Sequence, residues 1–191
     1  MIGFSVRLLI MASKQTITIN RAPVLTLWAA VVAERLGYDH DAALTLGKAL
    51  AGLNAQSKGR RLGIYEPGEE KPRDKAEKRP ARQRGEELRV EVCGRPVPAR
   101  KTSEGVRAVV GTSVIKPKAV ESYLRRSFGE GLPIAREAME RLAQSFQPEA
   151  LEREAYGLYE QFRPQVPAGK RGWGAQGELD LNRVRSLAAS Q

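Results

Sequence analysis

Two apolar stretches that meet at a glycine constrain the fold of this chain more than any other feature of its sequence. Between residues 23 and 36, large apolar side chains recur at spacings of three and four, which predicts an amphipathic helix. Gly37 tolerates the left-handed conformation that often ends a helix, so we expect the helix to stop there. Asp39 or Asp41 can cap a second helix that runs to about residue 55. The sequence therefore predicts a helical hairpin.

The second predicted helix contains two glycines, Gly47 and Gly52. Glycine destabilises a helix interior by about 1 kcal/mol relative to alanine. It also lets the backbone of a neighbouring helix come close, because it has no Cβ atom. We therefore expect both glycines to mark places where the two helices approach each other closely.

The rest of the chain predicts a small sheet and further helices. Alternation over residues 88–92 and β-branched residues over 106–115 predict two strands. Pro96 and Pro98 restrict any strand between them to a sheet edge, because proline has no N–H to donate. The predicted fold class is mainly α with a small antiparallel β element (α+β), with helical hairpins at both ends of the chain. Apolar periodicity and terminal Pro or Gly residues predict the later helices, over 118–128, 133–146, 148–162 and about 180–189.

Positive charge is concentrated in one part of the chain. The net charge is +10, and residues 58–101 carry 14 basic and 8 acidic residues, a net of +6 in less than a quarter of the length. Residues 58–87 also contain few apolar side chains, so they bury too little surface to offset the entropy of ordering. The predicted organisation is a disordered extension over 1–13, a helical hairpin over 14–57, a basic proline-rich linker over 58–87, a small β element over 88–116, and a helical region over 117–191 with a glycine-rich loop at 164–177.

Residues 29–48 resemble the helix-turn-helix family of DNA-binding motifs. Such motifs place a small residue four positions before a glycine, as Ala33 and Gly37 are placed here. Apolar residues then occupy the buried side of the second helix, as Ala43 and Leu46 do. The resemblance implies that the second helix enters the major groove and reads DNA with its N-terminal side chains.

The residues that would face DNA depart from this pattern. Carboxylates repel phosphate oxygens, and a leucine, a threonine and a mostly neutral histidine offer little direct readout of bases. Arginine, lysine, asparagine and glutamine are missing from these positions until Lys48. The alternative interpretation is a hairpin that only builds the core. The positions concerned are Asp39, His40, Asp41, Leu44 and Thr45.

Two basic segments are candidates for nucleic-acid contacts. Cations that follow the predicted hairpin would neutralise phosphates and release counterions, although the interspersed acids also suit a solvated linker. In the loop at 169–177, backbone amides and two cations suit phosphate, and an indole ring suits base stacking. Alternatively, that indole fills a groove in the core. The candidate residues are Lys58, Arg60, Arg61, Arg79, Arg82, Arg84, Lys170, Arg171 and Trp173.

Residues suited to catalysis or metal binding are sparse. His40 and Cys93 are the one histidine and the one cysteine, and nothing else in the sequence supports them as a base and a nucleophile. Neither paired histidines nor a CxxC pattern is present, so we predict no metal and no cofactor, and a non-enzymatic role is favoured. A single cysteine excludes an internal disulfide, which fits a reduced, cytoplasmic setting. The sequence also lacks the roughly 20 apolar residues of a membrane span.

Two functions remain open from the sequence. The first is a non-enzymatic nucleic-acid-binding protein, DNA or RNA, whose basic segment contacts phosphates with weak sequence specificity. The second is a protein–protein interaction or oligomeric scaffold module. In that case the apolar stripes of residues 23–53 and 132–162 exceed what one small core buries, and the positive charge serves solubility. The concentration of charge favours the first.

Overall fold

The computed structural model of the chain describes residues 15–61, 86–170 and 174–191, with backbone alone at 58–61. Within them the elements follow in the order β1 (Thr16–Ile19), α1 (Arg21–Arg35), α2 (His40–Arg61), β2 (Glu87–Val92), β3 (Arg95–Thr102), β4 (Gly105–Val110), β5 (Ser113–Val114), α3 (Pro117–Phe128), a 3₁₀ turn (Gly129–Gly131), α4 (Leu132–Gln144), α5 (Pro148–Phe162), β6 (Gly177–Asp180) and α6 (Leu181–Ala189). The expected mixture of helices with small antiparallel sheets is confirmed.

Helix α1 lies at the centre of the core. Every residue from Pro23 to Ala33 is buried, so the helix has no solvent-exposed face over this stretch, unlike the amphipathic helix that its large apolar residues predict. The physical reason is that these eleven positions carry no charged residue, which is typical of a helix surrounded on all sides. Trp28 anchors α1 to α5: its indole N–H donates to the Ala155 carbonyl over 2.7 Å, and its ring meets Phe162 edge-on.

The hairpin of α1 and α2 forms where the sequence predicts it. Gly37 has φ of +100° and ends the first helix. Of the two candidate caps, Asp39 is the one that caps α2, because its carboxylate accepts the backbone N–H of Ala42 over 2.8 Å. Helix α2 then continues to Arg61, four residues into the predicted linker, and the remaining residues of that linker up to 85 lie outside the described residues.

The two glycines of α2 have different surroundings. At Gly47, a Cβ atom would overlap the backbone oxygen of Thr26 and lie 2.9 Å from the backbone nitrogen of Ala30. At Gly52, a Cβ atom would meet nothing within 4 Å, and the residue is exposed. Close approach of the helices therefore explains Gly47, and the same expectation is wrong for Gly52.

A four-stranded antiparallel sheet, in the order β2-β3-β4-β5, packs against α2. The strand predicted over 106–115 is two strands, because Gly111 turns the chain with φ of +60°. Strand β3 lies between β2 and β4, although β4 pairs only with its residues 99–102. Pro96 and Pro98 lie in the first half of β3, which pairs with β2 on one side and has no second partner strand among the described residues. The expected restriction of these prolines to a sheet edge therefore holds for this half of β3 only.

The C-terminal part of the chain differs from the prediction. Helices α4 and α5 follow each other as expected, but the chain then forms a strand, β6, and a short helix, α6. Strand β6 pairs antiparallel with β1 near the other end of the chain, from Thr16 opposite Asp180 to Ile19 opposite Gly177. Helical hairpins at both ends are therefore not confirmed, because each end contributes a strand to this small second sheet. Among the described helices, none combines the length and the apolar character needed to cross a membrane.

Candidate nucleic-acid interface

The first turn of α2 is held by a buried arginine from the sheet. Arg107 on β4 has a side chain that is 5% exposed, and its guanidinium lies 3.6 Å from Asp39 Oδ1 and 3.4 Å from Asp41 Oδ2. It also donates to the backbone oxygens of Val106 and Glu104. The bonds to these two backbone oxygens, at 2.8 and 2.9 Å, orient the guanidinium, and the longer contacts to the two carboxylates are ion pairs. The two carboxylates at the start of α2 are therefore paired with a cation of the protein itself.

Other side chains of this turn also have partners within the protein. The Thr45 hydroxyl accepts the backbone N–H of Ala108 over 3.0 Å and donates to the Ala42 oxygen. His40 Nδ1 lies 2.6 Å from Glu34 Oε1, and Leu44 is buried. These positions are the ones that a helix-turn-helix motif would present to DNA, and in this protein they contact β4, α1 or the core.

The opposite end of α2 extends out of the core. Burial continues to Ala51, and Asn54 is 9% exposed and accepts a hydrogen bond from the Tyr156 hydroxyl over 2.9 Å. Gln56 and Ser57 are exposed. At 1.5 Å per residue, the helix runs on for about 10 Å beyond Asn54. The sequence candidates Lys58, Arg60 and Arg61 share this last stretch of α2.

The remaining candidates are less well placed. Lys170 is exposed in a turn where its backbone N–H donates to the Pro167 oxygen. The loop that contains it begins near the start of α1, because Arg21 Nε donates to the Pro164 oxygen over 3.1 Å. The start of α1 faces the C-terminal half of α2, so the loop begins on the same side of the hairpin as the last turns of α2. Five predicted site residues, Arg79, Arg82, Arg84, Arg171 and Trp173, lie outside the described residues.

Helix α3 presents a basic outer face that the sequence analysis missed. Val120, Leu124 and Phe128 point into the core at spacings of four. The opposite side of the helix carries Lys118, Arg125 and Arg126, all exposed, with Ser122 between them. Arg125 contacts Glu121 at 2.6 Å, but its side chain remains 71% exposed. Within the described residues, Lys118 and Arg126 have no ion-pair partner. The high amphipathicity of this segment was the signal that could have revealed the face.

Helices α2 and α3 pack against each other. Ala108, which bonds to Thr45 near the start of α2, also accepts the backbone N–H of Ile115 just before α3. Further along, the Lys48 ammonium lies 3.5 Å from the centre of the Tyr123 ring. Beyond these two residues, α3 continues for about 8 Å and α2 for about 20 Å.

Both helices therefore carry basic residues, three in the last turn of α2 and three along α3, of which Lys118 lies in the first turn. We call this set of residues the α2–α3 basic surface: Lys58, Arg60, Arg61, Lys118, Arg125 and Arg126. Partial burial lowers the pKa of Lys48, which lies between the two helices and already contacts the tyrosine ring. We therefore leave Lys48 out of the surface.

The lone cysteine and the lone histidine show no sign of mutual activation. Cys93 is buried at the turn between β2 and β3, and burial raises the pKa of its thiol to about 12. A thiol with this pKa is protonated at neutral pH and is a poor nucleophile. His40 is exposed, with Glu34 as its partner. Within the described part of the chain, no three His, Cys, Asp or Glu side chains are grouped so that they could hold a metal ion.

Known proteins provide no relative from which the function of this chain could be inferred. Models of protein families, curated proteins and solved structures were each compared with it, and none of the three comparisons finds a match.

Proposed function

We propose that this protein is a non-enzymatic nucleic-acid-binding protein that contacts phosphates through the α2–α3 basic surface. One observation carries the proposal: the exposed cations on the outer face of α3 lie beside a helix that extends out of the core and ends in Lys58, Arg60 and Arg61. The three cations of α3 are carried by one regular helix, so their spacing along it is fixed. A row of fixed cations suits the regular negative charge of a nucleic-acid backbone.

Binding of this kind depends on charge more than on base sequence. Contacts to phosphates position a protein on nucleic acid, whereas side chains that reach base edges provide specificity. The first turn of α2 is paired with Arg107 and with Ala108, so it offers few free groups for base readout. Weak sequence preference and a strong dependence on salt are therefore expected.

The basic segment that follows Arg61 belongs to the same proposal. Its cations Arg79, Arg82 and Arg84 follow the end of α2 by 18 to 23 residues in the sequence and would add to the positive charge of the proposed surface. Lys170, Arg171 and Trp173 would add contacts from the loop that begins near the start of α1. A cytoplasmic location is part of this proposal.

The alternative, an interaction or oligomeric scaffold module, has less support. It relied on apolar stripes in excess of what the core holds, yet apart from Leu53 and Ile134 the large apolar residues of those stripes belong to the core or pack against it. In the described part of the chain, the large apolar side chains that are exposed are Val110 and Ile134, and they lie on different elements, β4 and α4. An apolar docking patch of ordinary size needs several such residues together.

A matched pair of triple variants tests the proposal. K118Q/R125Q/R126Q removes the outer face of α3, and K101Q/R153Q/R183Q removes three exposed cations from other elements with the same change in net charge. Fluorescence anisotropy with labelled duplex DNA, duplex RNA and single strands, between 50 and 200 mM salt, gives the affinities. We expect the first variant to lose affinity on the order of 100-fold at low salt, and its salt slope to fall by up to about three.

The control triple variant should lose much less affinity. Equal losses in the two variants would mean that only net charge matters and would remove α3 from the interface. If the unaltered protein retains none of these nucleic acids at 50 mM salt, the proposed function is wrong.

A further inference from the structure

A concave surface lies near the start of α2, separate from the α2–α3 basic surface. It is a groove of about 290 Å³ between the turn that joins α1 to α2, the end of β2 and the first turns of α5. Its lining residues are Leu36, Tyr38, Glu91, Pro148, Glu149 and Glu152. The groove thus combines three half-buried, largely apolar side chains, those of Leu36, Tyr38 and Pro148, with three carboxylates.

One wall of this groove belongs to an open strand edge. Strand β2 is an edge strand of its sheet, and β3 is its one partner in the described part of the chain. The backbone N–H of Lys101 donates to the Glu86 oxygen, so the even-numbered residues of β2 direct their backbone groups toward β3. The backbone groups of Glu87, Arg89 and Glu91 therefore point away from the sheet, and all three residues are exposed. An edge of this kind can accept a further strand.

The three carboxylates of the groove lack cationic partners. Among the described residues, no cation lies within ion-pair distance of Glu91, Glu149 or Glu152, although the protein has a net charge of +10. The neighbouring cation, Arg95, instead covers the Tyr156 ring at 4.4 Å. An acid in the first turn of a helix stabilises that helix, which accounts for Glu149. It does not account for Glu91, which comes from a strand.

We infer that this groove binds an extended basic peptide segment of a partner protein, which adds as a strand beside β2. The outward backbone groups at Glu87, Arg89 and Glu91 would pair with the peptide backbone. Lysine or arginine side chains of the peptide would reach Glu91 and the carboxylates of α5. An apolar side chain of the peptide would cover Leu36 and Tyr38.

The chemistry of the groove selects this partner over others. A nucleic acid is repelled by three unpaired carboxylates, and a helix cannot use the free backbone groups of an edge strand. An extended peptide satisfies those groups and also presents alternate side chains to one side. The inference does not depend on the proposed nucleic-acid binding, because the two surfaces share no residue.

Anisotropy of a labelled ten-residue peptide that alternates lysine and valine tests the inference, with the full chain at low salt. A glutamate–valine peptide is the charge control, and a lysine–valine peptide N-methylated on alternate residues is the backbone control. We expect only the unmodified lysine–valine peptide to bind. The E149Q/E152Q variant should bind it about three- to tenfold more weakly. The matched variant E104Q/E130Q, which removes two exposed carboxylates elsewhere, should bind it as the unaltered protein does.

Three other results would each overturn the inference. Equal binding of the N-methylated peptide shows attraction by charge without strand addition. Equal weakening by the two double variants shows that overall charge, not the groove, attracts the peptide. Absence of binding to the unmodified peptide removes the docking surface. Circular dichroism and unfolding midpoints establish that both variants are folded, and their unchanged affinity for nucleic acid separates this outcome from failure of the proposed function.

Discussion

The two ends of α2 differ in what surrounds them. From Ala42 to Ala51 the helix is buried apart from Lys48, and its first turn is tied to β4 by Arg107 and Thr45. Beyond Asn54, Gln56 and Ser57 are exposed, and the sequence of the helix ends in three cations. The residues that resemble a DNA-reading helix thus stabilise the fold, whereas the cations that we propose to meet a polyanion lie about 20 Å further along the helix. One helix can serve as core at one end and as surface at the other.

The largest effect that tests this comparison is expected for Gly47→Ala. The new Cβ would overlap the Thr26 oxygen and lie 2.9 Å from the Ala30 nitrogen, which are backbone atoms of a buried helix and cannot rotate away. Overpacking costs about 1–3 kcal/mol or more, against about 1 kcal/mol gained in helix propensity. Because the overlapped atoms belong to the backbone, we expect a cost at the upper end of this range and therefore a net loss of about 2 kcal/mol in the free energy of unfolding, measured by urea titration. Unchanged stability would show that α1 and α2 are not tightly packed there.

A smaller loss is expected for Arg107→Leu. The substitution removes the pairs to Asp39 and Asp41 and the hydrogen bond to the Glu104 oxygen. Because the two carboxylates are more than half exposed, water hydrates them after the change, and the cost should be about 1–2 kcal/mol. The same denaturant titration measures it, with Arg89→Leu on the exposed side of β2 as the control, expected within about 0.5 kcal/mol of the unaltered protein.

The Arg107→Leu variant also bears on binding. If the first turn of α2 does not meet nucleic acid, affinity measured on the folded variant should stay within about threefold, although a cation is lost. A large loss of affinity without a loss of stability would show that nucleic acid binds at the start of α2 and not at its C-terminal end.

The smallest effect, and one of opposite sign, is expected for Gly52→Ala. A Cβ atom there meets nothing within 4 Å, and the backbone is helical, so the substitution introduces no contact strain. Alanine lowers the entropy of the unfolded chain, which should stabilise the protein by about 0.5–1 kcal/mol. Thermal unfolding of the two alanine variants side by side gives the contrast directly. A loss of stability at residue 52 would show that the second half of α2 is packed rather than free.

Features that depend on neighbouring residues in the chain were predictable. The left-handed stop at Gly37 and the cap by Asp39 follow from local chemistry, and both are present. The role of Gly47 was predictable in kind, but its difference from Gly52 depends on where α1 passes, which no local pattern encodes. The complete burial of α1 was not predictable for the same reason. The spacing of its large residues suggests one buried side, but its other sides are buried too, by neighbouring elements that no local pattern identifies.

Features that join distant parts of the chain were not predictable. Each strand of the β1–β6 sheet has four residues, too short for a strong alternation signal, and its partner lies at the other end of the chain. The basic face of α3 was missed for another reason. Charge density along the chain identifies runs such as residues 58–61, but Lys118, Arg125 and Arg126 form a cluster only after the helix places them on one side.

The pairing of β1 with β6 also has a consequence for the order of folding. Gln15 accepts the backbone N–H of Leu181, and its side-chain oxygen accepts from Arg185, 170 positions away in the sequence. Forming this sheet requires almost the whole chain to close into one loop, and such distant contacts form slowly. The α1–α2 hairpin, by contrast, joins neighbours in sequence. We expect the hairpin to assemble early and the β1–β6 strand pair to form last. The amide protons of β1 and β6 should therefore be among the first to exchange with solvent when the protein opens.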